Sequence, residues 1–121
     1  MLKTDPVLQF ERDGGGWFLI DQRTGHTYHS PTDDPAQPPG DVAYLSRQAR
    51  PDGNGSFILL TGIHAVGSNG VIHYLTHELA DLYEQVGARR FSTLIASEFD
   101  PATRAITSSR RITPLYLHED A

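Results

Sequence analysis

The chain has 121 residues, a length that fits one domain, and sets 10 Lys and Arg against 15 Asp and Glu for a formal net charge of −5. It has no cysteine, which excludes a disulfide scaffold and a thiolate metal centre. An acidic chain without a basic run lacks the surface that grips phosphates, so no direct nucleic-acid binding is expected.

Met1 to Gln9 holds one Lys but is interrupted by Asp5 and Pro6, and no apolar stretch of signal length follows. The apolar run Phe57 to Leu60 is far short of a membrane span, so no membrane contact is expected and the default compartment is cytoplasmic. Val7 to Glu11 alternates and runs into a turn at Asp13 to Gly16. Trp17 to Asp21 and His26 to Ser30 follow as strands around a turn at Thr24-Gly25, which predicts a β-meander over residues 1–30. Ser30 to Asp41 carries four prolines and reads as an irregular surface loop, 31–41. The residues before it cannot build a core alone, so the loop is not a boundary and 1–121 reads as a single domain.

Val42 to Arg47 is a predicted strand, and Pro51 to Gly55 a strong turn signal. Ser56 to Thr61 reads as the central strand, because its apolar residues do not alternate and so ask for cover on both faces. A helix is predicted from about Asn69 to Val86. At 100° per residue Val71, Ile72, Leu75, Leu79, Leu82, Tyr83 and Val86 share an arc of roughly 120°. His73, His77, Asp81 and Glu84 lie opposite, and Gly87 is the expected stop. Phe91 to Phe99 alternates, Ala105 to Thr113 returns beside it, and the tail after Pro114 is polar. The strand–helix–strand unit predicts a right-handed crossover between parallel strands. The fold class is therefore α/β with α+β character: a β-meander, one strand–glycine loop–helix–strand crossover over 42–121, and a C-terminal β-hairpin. One helix covers one sheet face; the other is left for the meander, a partner or a missing segment.

The segment Leu60 to Gly70 leaves a strand and enters a helix, where ligands sit in open α/β sheets and where free N–H groups suit an anion. Gly62, Gly67 and Gly70 would let backbone approach a bound group, Ser68 or Asn69 is placed as the N-cap, and His64 lies inside the loop. Gly62, His64, Gly67, Ser68 and Asn69 are thus the candidate ligand-binding residues. The plain alternative is a glycine-eased connection. Ser68 stands where a phosphate-binding loop needs Lys, and Val66 where an esterase elbow needs Gly, so no catalytic residue is assigned. His73, His77 and Asp81 have zinc-compatible spacing, but on the polar helix face, which reads as solvated surface; no metal site and no cofactor are expected. Trp17, Tyr28 and Tyr44 read as strand aromatics rather than as a pocket.

Taken together, GWFLIDQRTGHTYHSP, DVAYLSRQARPDGNGSFILLTGIHAVGSNGVIHYLTHEL, RRFSTLIASEFDP and ITSSRRITPLY resemble a family of bacterial Rossmann-type modules, often joined to helix-turn-helix regulators or other signalling proteins. The resemblance spans nearly the whole chain and is to the C-terminal half of the module, in which a strand and glycine loop would precede Asp5. Gly62, His64, Gly67 and Ser68 match its recurrent glycine pattern. The resemblance implies an incomplete Rossmann-like sheet and no reaction.

Two functions follow as expectations. One is a non-catalytic module of a regulatory or signalling protein that senses a small anionic ligand at Gly62–Gly70, or binds a protein partner or second copy through the uncovered sheet face. The alternative is a small hydrolase, or a nucleotide- or sugar-cleaving enzyme, using Ser68 and His64.

Overall fold

The computed structural model describes residues 5–34, 36–50, 52–87 and 89–118; the outermost parts of the N-terminal reading and of the polar tail lie outside them. The meander forms as predicted. Strands β1 (Leu8–Asp13), β2 (Gly16–Asp21) and β3 (Thr27–His29) make an antiparallel three-stranded sheet. The Pro-rich loop contains one 3-10 turn, Pro31–Asp33, pinned by Ser30, whose Oγ accepts from the Thr32 N–H at 3.2 Å.

A second sheet holds β4 (Gly40–Ala49), β5 (Ser56–Gly62), β6 (Arg90–Phe99) and β7 (Ile106–Arg111) in the order β5-β4-β6-β7. A short β8 (Tyr116–His118) pairs with the first residues of β6, in the stretch read as polar tail. The crossover is present: β5 leads through helix α1 (Ala65–Val86) to β6. Because β4 lies between them and is antiparallel to both, β5 and β6 run the same way without being neighbours. Neighbouring strands are antiparallel throughout, whereas a Rossmann sheet has parallel neighbours.

Two expectations need correction. The central strands are β4 and β6, and β5 is an edge strand. Its apolar run does touch both layers, Leu60 packing towards the helix and Leu59 towards the meander, but as half-buried side chains, with Ile58 49% exposed. The second correction concerns the helix. It begins at Ala65 rather than Asn69, so Ser68 and Asn69 lie inside it and His64 is the N-cap. Its end is as read: Gly87, in the positive-φ conformation that favours glycine, donates its N–H to Tyr83 O at 2.7 Å.

The larger sheet is covered on both faces. Alternation along β4 turns Ala43 and Leu45 to α1, where they meet Val71, Leu82 and Ile95, and turns Val42 and Tyr44 to the meander, where they meet Leu8, Leu19 and Leu94. Of the covers expected for that second face (the meander, a partner or a missing segment), the meander is the one seen. Two buried aspartates join these layers. Asp5 Oδ1 accepts the N–H groups of Val7 and Leu8, while its Oδ2 takes the Tyr44 hydroxyl at 2.7 Å. Asp21 Oδ1 accepts the Arg23 N–H at 2.9 Å, while its Oδ2 takes the Tyr116 hydroxyl. Among the described residues, no helix is long and apolar enough to cross a membrane.

Candidate functional site

The strand-to-helix joint is built from three pieces of chain. The second residue of β4 is Asp41, whose side chain shares the phase of Ala43 and Leu45 and so points under the helix. The Asp41 carboxylate is fully buried, and its Oδ2 accepts the His64 N–H at 2.8 Å. That N–H belongs to the N-cap of α1, so the anion-favouring end of the helix is met by a carboxylate of the chain itself. Burial pushes the Asp41 carboxyl up from its ordinary value, opposed in part by the nearby polar groups of Ser30, His64 and Val42. Asp41 Oδ1, and Ser97 Oγ on the neighbouring strand, are buried without a hydrogen-bond partner among the described residues.

The glycines belong to this joint. A methyl group on Gly67 would fall on Asp41 Oδ2 and 2.9 Å from the Gly62 Cα; one on Gly70 would fall on Ser97 Oγ. Gly62 is equally enclosed, by the His64 carbonyl and the first turn of α1. Their bareness lets the helix lie against the sheet. Of the two expectations for these glycines, a bound group or a glycine-eased connection, the contacts seen here are those of the connection. Ser68, expected as a cap, instead accepts the Gly62 N–H on its Oγ at 3.1 Å. Asn69 is exposed.

His64 is the candidate that faces solvent. Its side chain is 40% exposed, and Nε2 lies 2.8 Å from Asp33 Oδ1 on the 3-10 turn. A carboxylate only accepts, so Nε2 carries the proton and Nδ1 is the acceptor of the neutral ring. The structure therefore gathers Gly62, His64, Gly67 and Ser68 at one joint and adds Asp41 and Asp33. The His64 ring and the Ser68 hydroxyl are not hydrogen-bonded to each other. Asp41 carried a signal that a stricter reading could have used: it is a charged residue in the core phase of a strand.

The remaining candidates form no common site, although the His73 and His77 rings lie against each other with centroids 4.2 Å apart. His73 Nδ1 meets Ser109 Oγ at 2.6 Å, and His77 donates from Nδ1 to the His73 carbonyl at 2.8 Å. Asp81 accepts from Gln85. Among the described residues no group of three or more His, Asp or Glu side chains is arranged to hold a metal ion. Tyr44 lies in the core, and burial raises its phenol far above the ordinary value; Trp17 is exposed beside Arg12.

The last feature is the flank of α1. Its two sides meet different strands: His73 and Gln85 reach β7, through Ser109 and Arg111, whereas Ser68 reaches β5 through Gly62. At 100° per residue Ile72, Leu79 and Tyr83 lie within about 60° of Ser68, on the β5 side. They are 53%, 59% and 65% exposed. The predicted apolar stripe is thus split: Val71, Leu82 and Val86 enter the core, and these three do not. Comparison of the chain with models of protein families, with curated proteins and with solved structures gives no match.

Proposed function

We propose that this chain is a non-catalytic interaction module of a bacterial regulatory or signalling protein, and that its working surface is the exposed flank of α1. The observation that carries this reading is a contrast within one helix. At its N-terminus the anion position is filled by Asp41 and the glycines are used by internal contacts. Along its β5 flank, Ile72, Leu79 and Tyr83 meet no comparable cover. Large apolar side chains grouped in water favour association. The regulatory setting rests on the resemblance to modules joined to helix-turn-helix regulators. The test compares the native chain with Leu79→Glu as immobilised bait in a bacterial lysate, with captured proteins identified by mass. Capture of a defined protein by the native chain and its loss with Leu79→Glu supports the reading; equal capture by both overturns it.

A second reading is ligand sensing at the joint, favoured by the His64 ring, which Asp33 holds at the surface beside the buried Asp41. A screen of phosphate, nucleotides and sugar phosphates by thermal shift tests it. A stabilisation that disappears in His64→Ala and Ser68→Ala is expected; the absence of any shift discards the reading. Turnover lost in either variant would instead favour the hydrolase.

A further inference from the structure

We infer that the partner of the α1 flank is a second copy of this chain, docked about a two-fold axis with α1 antiparallel to α1. This inference rests on the interaction reading above and names its partner.

The first argument is charge. On a helical projection, the 120° arc centred on Ile72 holds Ala65, Ser68, Asn69, Leu75, Thr76, Leu79 and Tyr83 besides Ile72 itself, together with Val86, which is buried in the core. None is charged, although the chain as a whole carries −5 and Glu78, Asp81 and Glu84 stand elsewhere on the same helix. The neighbouring edge strand, Ser56–Gly62, is also without charge. Two acidic copies repel unless they meet on a neutral surface, and this arc supplies one on each.

The second argument is self-complementarity. Ile72 and Leu79 are one heptad apart and Tyr83 one turn further, the spacing of a helix–helix seam. Antiparallel two-fold pairing sets Ile72 of one copy beside Tyr83 of the other, with Leu79 of both near the axis. The short Thr76 stands between them and leaves room for the larger side chains. Ile58, on the helix-facing side of β5 and half exposed, lies on the same flank and widens the patch.

The third is area. At these exposures, four side chains offer roughly 400 Å² of apolar surface per copy, about half of the ~800 Å² per partner in a standard interface. The polar members of the arc extend it, so the scale is that of a small, reversible dimer.

The experiment measures mass by light scattering across a dilution series, with the full chain. The native protein is expected to pass from 13.4 kDa towards twice that mass as concentration rises. Leu79→Glu and Ile72→Glu replace exposed side chains, so they should keep the native circular dichroism and melting temperature while weakening association at least tenfold. Ala36→Glu adds the same charge on the exposed Pro-rich loop and should leave association unchanged. A chain that stays at 13.4 kDa up to about 1 mM, where even a very weak dimer forms, overturns the second copy. Association that survives in Leu79→Glu overturns it as well, because the dimer would then use another surface. A chain that stays monomeric leaves the interaction reading to be decided by Leu79-dependent capture of a different protein, whereas a Leu79-dependent dimer satisfies that reading with the second copy.

Discussion

The two faces of the five-stranded sheet are closed by different means. On the helix face the contact is steric and apolar: Val71, Leu82 and Ile95 fill the middle, and at the helix start Gly67 and Gly70 give way to Asp41 and Ser97. On the meander face an apolar centre is framed by two polar clamps, Asp5 to Tyr44 and Asp21 to Tyr116. The difference follows from shape. A helix presents one straight ridge whose distance from the sheet is set by its smallest residues. A small twisted sheet of three strands buries less apolar surface, and buried hydrogen bonds from its turns to core tyrosines fix its seat.

The largest expected effect tests the helix face. Gly67→Ala and Gly70→Ala should each destabilise by about 3 kcal/mol, because the added methyl meets Asp41 or Ser97 and the helix must lift. Chemical denaturation measures this, and in an Asp41→Ala background the Gly67→Ala cost should fall. An unchanged cost in that background would place the clash at the Gly62 Cα instead.

Next come the clamps. Asp5→Ala and Asp21→Ala should each cost about 2 kcal/mol, since each leaves buried donors without an acceptor. Tyr44→Phe and Tyr116→Phe should cost about 1 kcal/mol, since each removes only the hydroxyl. A meander held mainly by apolar contact would show no difference between these variants and a neutral surface change.

The same clamps predict an alkaline limit. Burial raises the Tyr116 phenol to about 12, ahead of the influence of Asp21, and raises Tyr44 as well. The unfolded chain ionises its tyrosines near 10, so the native state loses relative stability as pH rises from 10 towards 12. Stability measured across that range should fall less steeply in Tyr116→Phe.

The smallest effect has the opposite sign. Asp41 is raised by burial, so it stabilises the native state only while protonated, below the ordinary carboxylate range, and that contribution is lost as pH rises through its native value. Asp41→Asn keeps an acceptor for the His64 N–H without the buried charge. It should be neutral or slightly stabilising at pH 7, with the advantage shrinking in acid, read as melting temperature against pH.

Much of this architecture is legible in local pattern. Alternation in Val7 to Glu11 and Phe91 to Phe99, the turn residues at Asp13 to Gly16 and Thr24-Gly25, and the stop at Gly87 all marked elements that formed. The helix start was misplaced because Ser68 has good capping chemistry, yet Asp41, from 23 residues upstream, caps the helix by reaching the His64 N–H. At the candidate joint the glycines mark a close approach, and a sequence cannot say whether the approaching group is a ligand or the chain's own carboxylate.

The sequence by itself determined the strand periods, the meander, the crossover and a helix with a wide apolar stripe. These depend on neighbours a few residues apart. Tertiary structure alone decided that β4, and not β5, sits inside the sheet, that the meander covers its second face, and that Asp41 fills the helix N-terminus. It also decided which half of the α1 stripe is buried. Ile72 and Val71 are chemically alike and adjacent in sequence; only the placement of β5 at the sheet edge leaves one in water and the other in the core.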